Sequence, residues 1–428
     1  MPLAALAVVA LLGPPDYGSE DIPAAPAQPD PSARPTASSD AFYPPRREAE
    51  RLAAATVARP GVSFAPGKGL KLASKDERFA ISLGLRTGVL YSLRHTPEHT
   101  SQALDLRRLR LLLFGNAFGR HNTFYVQLAF APRELGLRDG VLHESPALDT
   151  YLRFTRLRDA TFTVGQHRVP FSRERNVSDV NPLLVDRSLV NDEFSLDRDI
   201  GLGAHSDDLG GLRRLRYFAG VYLGEGRNTG RFGDAGLLYV VRADLLPFGL
   251  FDDYESSDLA RSRRFRVSLG AAYAFHDRAH RDRGTVGDVF ADGGTMSAHN
   301  VTADLAARWA GWSLDAAYHW RRAWRTPGAA VDADGQPVAP IAARNGQGWM
   351  IQTAFLIPRT RLEPALRWSG ARGLGVTSMQ GRDELGGGLN YYFYGHNLKL
   401  QLDAFHTAPR GAWARGEDTL RVQIQINL

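Results

Sequence analysis

The sequence contains no cysteine, very little lysine and no long apolar run, and each of these absences excludes a class of protein. Without cysteine the chain has no disulfide framework and no cysteine-ligated zinc site. The longest apolar run covers residues 3–12, well short of the roughly 20 residues that a membrane-spanning helix needs. No transmembrane helix is therefore expected in this chain.

The first part of the chain lacks a regular hydrophobic pattern and is predicted to stand apart from the rest. Residues 1–13 resemble the apolar core of a secretory signal, although the usual positively charged start is missing. Residues 14–77 are rich in Pro, Ala, Ser and Asp and are predicted to form a disordered leader with a short helix near residues 46–57. The predicted folded domain is residues 78–428.

From residue 78 onward the hydrophobic period is two residues. Ile81, Leu83 and Leu85 alternate with small or polar residues, as expected of a strand that has one apolar face. Similar alternating runs recur along the chain and end with residues 417–428, which gives 16 predicted strands. A strand at the extreme C-terminus can pair with the first strand, so that the sheet closes and no edge stays unpaired.

The connections between these predicted strands differ in length on the two rims. Counted from the first strand, odd-numbered connections are mostly long, as at 131–147, and even-numbered ones are mostly short, as around Gly119 and Ala310. Only the even-numbered connection 247–263 is long. Short turns on one rim and long loops on the other are typical of outer-membrane barrels. The predicted fold class is all-β, a 16-stranded antiparallel transmembrane β-barrel with an aqueous lumen, in the bacterial outer membrane.

The third long connection, residues 168–198, is the most unusual stretch of the chain. A connection of about 30 residues is functional or disordered in most proteins. It contains Phe171, Leu183, Leu184 and Phe194, which makes it too apolar for a disordered linker. We expect this loop to fold into the lumen of the barrel and narrow it.

Seven further segments carry recognisable local motifs: residues 107–110 (RRLR), 164–174 (VGQHRVPFSRE), 186–188 (DRS), 198–201 (RDIG), 220–228 (GVYLGEGRN), 389–399 (LNYYFYGHNLK) and 420–425 (LRVQIQ). These segments resemble those of the phosphate-selective porin O/P family. They occur in the family's order and together cover about residues 78–428. The resemblance implies a trimeric 16-stranded outer-membrane porin whose third loop folds inward, and it implies phosphate as the transported anion.

Arginines that face the lumen are the candidate anion-binding residues of the pore constriction. A guanidinium group binds phosphate or carboxylate oxygens in pairs, and a positive lining favours anions. Alternatively, each arginine is solvated or pairs with an acid across the wall, and the net charge of +6 is ordinary surface charge. The candidates are Arg108, Arg110 and Arg153 on strands, and Arg168, Arg173, Arg175 and Arg187 in or beside the third loop.

Other classes of function find little support in the sequence. The G-x-S-x-G motif is absent, and no histidines have H-E-x-x-H spacing. Residues 331–337 (VDADGQP) lack the remaining ligands of a calcium loop and predict a turn. The arginines are spread along alternating strands without a nucleic-acid-binding motif. We therefore expect no enzymatic activity, no cofactor, no metal and no nucleic-acid partner.

The sequence predicts a diffusion porin that passes small hydrophilic solutes with an anion preference of the phosphate type. The expected partners are the lipid bilayer, small anions such as phosphate, the other subunits of a homotrimer and the barrel-assembly machinery. A general, non-selective porin is the first alternative. A barrel enzyme would need a catalytic triad at one rim, and a structural or adhesive barrel would have a plugged lumen.

Overall fold

A computed structural model describes residues 61–138, 141–142, 144–229 and 236–428. The predicted signal-like segment, the predicted helix near residues 46–57 and most of the predicted leader lie outside these residues. Within them, no helix is long and apolar enough to cross a membrane.

Sixteen of the strands form one closed antiparallel barrel. In chain order the strands are β1 (Gly61–Ala65), β2 (Gly69–Ala73), β3 (Ala80–His95), β4 (Thr100–Asn116), β5 (Asn122–Ala129), β6 (Leu137–Arg138), β7 (Val141–Leu142), β8 (Ala147–Phe154), β9 (Thr161–Arg168), β10 (Arg198–Ser206), β11 (Leu215–Tyr222), β12 (Leu238–Leu245), β13 (Arg266–Ala279), β14 (Thr295–Trp309), β15 (Trp312–Thr326), β16 (Gly346–Phe355), β17 (Leu362–Gly373), β18 (Arg382–Tyr394), β19 (Leu398–Pro409) and β20 (Glu417–Asn427). The barrel consists of β3–β5 and β8–β20, each paired with its neighbour in the chain. Strand β20 pairs with β3 from Asp418↔His95 to Asn427↔Arg86 and closes the ring. The predicted 16-stranded antiparallel barrel is confirmed.

Alternation along each strand separates an apolar outer face from a polar interior face. In β20, Leu420, Ile424 and Ile426 are exposed, whereas Gln423 and Gln425 between them are buried. An outer face of this kind suits hydrocarbon, and a polar interior face suits water or polar protein groups. The two-residue period of the sequence therefore fixes which side chains face inward.

Two aromatic residues mark the vertical extent of the outer apolar face on β15. Trp312 and Trp324 stand on the same face of this strand, twelve residues apart. At about 3.3 Å per residue the separation is roughly 40 Å along the strand. A strand tilted by about 45° then spans roughly 28 Å of membrane depth, close to the hydrocarbon thickness.

Strands β1 and β2 form a hairpin that precedes the barrel and continues its wall. Strand β2 pairs with β3 at Leu70↔Leu83 and Ala73↔Ala80, beside the point where β20 ends. The prediction of a disordered leader up to residue 77 is therefore wrong for residues 61–73. Composition indicated disorder, but two short alternating runs in this segment form strands that pair with each other, and the second strand pairs with β3.

The connections keep the predicted asymmetry, although several strands are longer than predicted. The first odd-numbered connection consists only of residues 96–99, because the ladder between β3 and β4 continues to His95↔Thr100. Outside the bilayer both faces of a strand can be polar, so that alternation ends before the hydrogen-bonded ladder does. Among the odd-numbered connections, residues 169–197, called the third loop below, contain the short helices α1 (Arg173–Asn176) and α2 (Leu189–Phe194).

Candidate functional site

The two short helices of the third loop are tied to each other by side-chain caps. The Ser172 hydroxyl accepts a hydrogen bond from the Arg175 backbone N–H at the start of α1, and the Ser188 hydroxyl does the same for Asn191 in α2. The carboxylate of Glu174 in α1 accepts hydrogen bonds from both the backbone N–H and the hydroxyl of Ser188, each at 2.7 Å. Each cap satisfies helix N–H groups that have no partner within the helix.

Apolar side chains anchor the third loop at two places on the wall. Leu183 and Leu184 belong to a buried cluster with Phe405 of β19. Val190 and Phe194 of α2 are buried in another cluster beside β17. Burial of a side chain of this size contributes about 1.5–3 kcal/mol. These buried contacts account for the apolar residues of the loop, which a disordered linker would not contain.

Gly348 on β16 leaves the space that α2 occupies. A Cβ atom at this position would lie 2.8 Å from a ring carbon of Phe194 and 2.9 Å from a methyl carbon of Val190. Both distances are shorter than a normal contact between carbon atoms. The missing side chain therefore allows the helix to lie directly against the strand.

Interior polar side chains also hold the backbone of the third loop. Lys399 donates to the carbonyl of Pro182 at 2.8 Å, and Gln425 donates to the carbonyl of Val180 at 2.8 Å. Both donors lie on the interior faces of β19 and β20. Carbonyl groups of the loop that lie outside its helices thus accept hydrogen bonds from side chains of the barrel wall.

One end of the third loop is fixed by a network in which positive and negative charges balance. Arg173 of α1 donates to the Asp304 carboxylate at 2.7 Å and to the Ser268 hydroxyl at 2.9 Å. The network joins three arginines to three aspartates: Arg173, Arg216, Arg242, Asp244, Asp253 and Asp304. Because its charges cancel, this network anchors the loop without offering a net positive charge to a solute.

A second group of charges, which we call the Asp179 cluster, has an excess of arginine. The Asp179 carboxylate accepts hydrogen bonds from Arg110, from Arg168 at 2.8 Å and from Arg187 at 2.7 Å. Arg110 also pairs with Glu134. Although burial alone would raise it, the pKa of the Asp179 carboxyl lies well below its usual value because of these arginines.

Arg108 completes the Asp179 cluster from the interior face of β4. It is 8% exposed and interacts electrostatically with Asp179, Arg110 and Arg187. Within the described residues its guanidinium group has no hydrogen-bond or ion-pair partner. The cluster therefore holds four arginines against two carboxylates, Asp179 and Glu134. A buried guanidinium beside an incomplete set of acids is a site where an anion can supply the missing charge.

The seven predicted site residues thus fall into separate groups. Arg108, Arg110, Arg168 and Arg187 meet in the Asp179 cluster, and Arg173 belongs to the balanced network. Arg175 pairs with Asp197 through a 2.7 Å hydrogen bond. Arg153 stands on β8 with its guanidinium carbon 5.1 Å from the centre of the Tyr151 ring. For most of these arginines the alternative interpretation, pairing with an acid, describes the contacts that the structure shows.

Sequence reasoning missed further charged residues that contact the third loop. Asp186 of the loop pairs with Arg107 and with Arg421 of β20. Although burial opposes it, these arginines lower the pKa of the Asp186 carboxyl to about 2. Arg421 stands on the same face of β20 as Gln423 and Gln425, so that strand parity could have identified it as inward-facing.

The turn predicted at residues 331–337 is confirmed. The Asp332 carboxylate accepts hydrogen bonds from the backbone N–H groups of Asp334 and Gln336, each at 2.9 Å. Across the described ranges, no group of three or more His, Asp or Glu side chains has a geometry suited to a metal ion.

Comparison with known proteins assigns the chain to a protein family. The sequence matches the phosphate-selective porin O and P family over residues 81–427. The chain belongs to this family. No curated protein matches the sequence. Family membership and the closed barrel together make the protein a porin of the bacterial outer membrane, and both indicate a channel.

Solved structures of outer-membrane proteins are similar to this porin at low sequence identity. An anion-selective porin from Comamonas acidovorans is 11% identical with a TM-score of 0.54, over 81% of this chain and 99% of that chain. The outer-membrane channel DcaP of Acinetobacter baumannii is 11% identical with a TM-score of 0.52, over 84% and 100% of the two chains. OmpT of Vibrio cholerae, solved in a trimer form, is 9% identical with a TM-score of 0.48, over 81% and 99%. At identities this low, the first two structures show a shared fold alone.

Proposed function

We propose that this porin passes small hydrophilic solutes by diffusion through a water-filled lumen that the third loop narrows, with a preference for anions. The contacts of the loop support the narrowing. Loop residues meet interior-facing residues of β4, β14, β16, β17, β19 and β20, which stand on different sides of the barrel. A segment held at so many points inside the wall leaves only part of the cross-section for solutes.

The observation that carries the anion preference is the charge imbalance of the Asp179 cluster. The balanced network around Arg173 contributes no net charge, whereas the cluster retains an excess of two positive charges over Asp179 and Glu134. Fixed positive charge at a narrow point attracts anions and repels cations. Within the proposal, Arg108 is the residue most available to a passing anion, and the other predicted arginines shape or support the site.

Phosphate is the anion that we propose, because the family is described as phosphate-selective. Guanidinium groups match the geometry of phosphate oxygens, and two neighbouring arginines can bind one phosphate. A general porin without selectivity is the competing proposal, and it would leave the arginines with the structural roles that their ion pairs indicate. We propose no enzymatic activity.

The test of the proposal is the inhibition of chloride current by phosphate in a planar bilayer. We expect phosphate to reduce the chloride current of the wild type and to act more weakly on the variant Arg108→Gln, which keeps a polar side chain without the charge. Arg322→Gln, on the outer face of β15, is the matched control and should behave as the wild type does. Equal inhibition of wild type and Arg108→Gln would reject Arg108 as the site, and no inhibition of the wild type would reject phosphate.

We also propose that the porin assembles as a homotrimer in the bilayer, after the barrel-assembly machinery has recognised the C-terminal strand β20. The family resemblance supports the trimer, and the alternating apolar pattern of β20 supports recognition of this strand. Cross-linking of the purified protein in detergent, read by the mass of the products, tests the trimer. Products no larger than the single chain would contradict it.

A further inference from the structure

The connection between β12 and β13, residues 246–265, is long although it lies on the rim of short turns. We call it the 246–265 loop. On the same rim, only Ala310 and Gly311 join β14 to β15. A turn needs few residues to reverse a strand, so the additional length requires another explanation.

The beginning of the 246–265 loop is fixed on one side of the barrel interior. The Asp253 carboxylate accepts a hydrogen bond at 2.9 Å from Arg216 of β11, the seventh strand of the barrel. Asp253 also pairs with Arg173, which links this loop to the third loop. Asp253 is 1% exposed.

The middle of the same loop is fixed almost opposite. The Ser257 hydroxyl lies 2.8 Å from a Glu363 carboxylate oxygen on β17 and 2.7 Å from the Tyr392 hydroxyl on β18. Strand β18 is the fourteenth of the barrel, seven strands from β11, and in a ring of sixteen this is nearly a diameter. Asp253 and Ser257 are four residues apart, at most about 14 Å of chain. The long side chains of Arg216 and Tyr392 span the remaining distance.

Hydrogen bonds between these two points and directly after the second one hold the loop in place. Arg308 of β14 donates to the carbonyl of Glu255 at 2.7 and 3.1 Å. The Asp258 carboxylate accepts from the backbone N–H of Gly311 at 2.8 Å and from that of Ser262. The loop is therefore a braced segment and has little freedom to leave the interior.

We propose that the 246–265 loop forms a second constriction at the turn rim, in series with the third loop, and that Glu255 is its solute-facing charge. The proposal rests on the diffusion of solutes through the barrel. Residues 251–261 carry four carboxylates and one arginine. Asp253 and Asp258 are buried in hydrogen bonds, whereas the Glu255 side chain is 20% exposed and lies 2.9 Å from the ring of His396.

A negative charge at the second constriction changes which anions pass. The Asp179 cluster attracts anions in proportion to their charge, and the Glu255 carboxylate repels them in the same proportion. A multivalent anion is therefore retained at the first constriction and hindered at the second. The solutes selected by the two constrictions together are small anions of low charge.

Two variants of the whole protein test the second constriction by single-channel recording. Replacing residues 251–260 with a short glycine linker should increase the conductance roughly twofold or more, because a braced obstacle is removed from the path. Glu255→Cys is the milder variant, and the chain contains no other cysteine. Modification of this cysteine by a bulky methanethiosulfonate reagent should lower the conductance. Asp334→Cys in the exposed loop between β15 and β16 is the control, and its modification should have no effect.

The outcomes separate this proposal from the proposed function. Unchanged conductance in the linker variant, or no effect of modification at position 255, would overturn the second constriction even if the wild type prefers anions. A wild type without anion preference would overturn the anion proposal alone. The ratio of the conductance of the linker variant to that of the wild type would still decide the role of the loop. If the wild type does not conduct, conduction by the linker variant would show that the loop blocks the path. If neither protein conducts, both proposals are refuted.

Glu255→Gln should raise the permeability of sulfate relative to chloride, and an unchanged permeability ratio would reject the role of the Glu255 charge.

Discussion

At the scale of single residues, one carboxylate organises the candidate anion site. Asp179 accepts hydrogen bonds from three arginines that come from β4, β9 and the third loop. Without it, like charges would be brought together in a poorly hydrated space, which is unfavourable. The same carboxylate offsets part of the positive charge of the arginines. Under the proposed function, Asp179 therefore stabilises the loop and lowers the anion preference.

Asp179→Asn should increase the ratio of anion to cation permeability. The amide keeps the shape of the side chain and can still accept hydrogen bonds, but the cluster gains one unit of positive charge. We expect a severalfold increase in the ratio, measured from reversal potentials in a salt gradient, together with a lower unfolding temperature. Asp332→Asn, in an exposed turn, is the control. A ratio that falls or stays constant in Asp179→Asn would show that the cluster does not face the solute.

A pH dependence follows from Glu255. Burial raises the pKa of this carboxyl to about 7, although Arg308 opposes the increase. The surrounding groups are His396 on the turn after β18, Asp258 on its own loop, Arg308 on β14, Lys399 on β19, and Glu363 and Tyr392 on β17 and β18. Burial lowers the pKa of His396 well below its usual value, so that this ring is neutral and does not compensate Glu255.

We expect the anion preference of the wild type to increase as the pH falls from about 8 to about 6. The carboxyl is ionised above its raised pKa and loses its negative charge below it, which removes the repulsion of anions at the turn rim. Reversal potentials measured across this range test the prediction. Glu255→Gln should abolish this part of the pH dependence, and an unchanged profile in that variant would assign the titration to other groups.

At the scale of elements, the third loop depends on the strand glycine beneath it. Gly348→Ala should displace α2, because the added methyl group would overlap Phe194 and Val190. Overpacking of this kind costs about 1–3 kcal/mol. We expect a lower unfolding temperature and a changed single-channel conductance.

Gly88→Ala on the interior face of β3 is the matched control for this prediction. A Cβ atom there would lie 3.5 Å or more from its neighbours, an ordinary contact distance. Its unfolding temperature and conductance should stay close to those of the wild type. Equal behaviour of the two variants would show that α2 does not require the space at Gly348.

The elements also show what the sequence could predict. The strands could be predicted because one face of the wall meets lipid and the other meets the interior. Outward-facing residues such as Leu420, Ile424 and Ile426 are therefore apolar and alternate with polar residues. The hairpin of β1 and β2 was missed because two five-residue runs carry a weak signal until β3 provides the edge. The apolar residues of the third loop predict that it packs against other parts of the chain, but they could not identify partners such as Phe405 and Gly348, which lie more than 150 residues away in the chain.

At the scale of the whole molecule, two of the charge arrangements inside the barrel differ in their balance of positive and negative charges. The balanced network around Arg173 joins the third loop, the wall and the 246–265 loop, and each of its three arginines is paired with aspartates. The Asp179 cluster retains an excess of arginine. Strand parity could place arginines inside the barrel, but it could not show which of them meet an acid, because the acids come from distant loops.

The measurement that tests the central claim most directly is the reversal potential of the purified wild-type porin in a planar bilayer under a potassium chloride gradient. We predict discrete conductance steps and a reversal potential displaced toward the equilibrium potential of chloride. A reversal potential at zero or displaced toward that of potassium would contradict the anion preference of the Asp179 cluster. A folded barrel that passes no current would contradict the open, narrowed lumen itself.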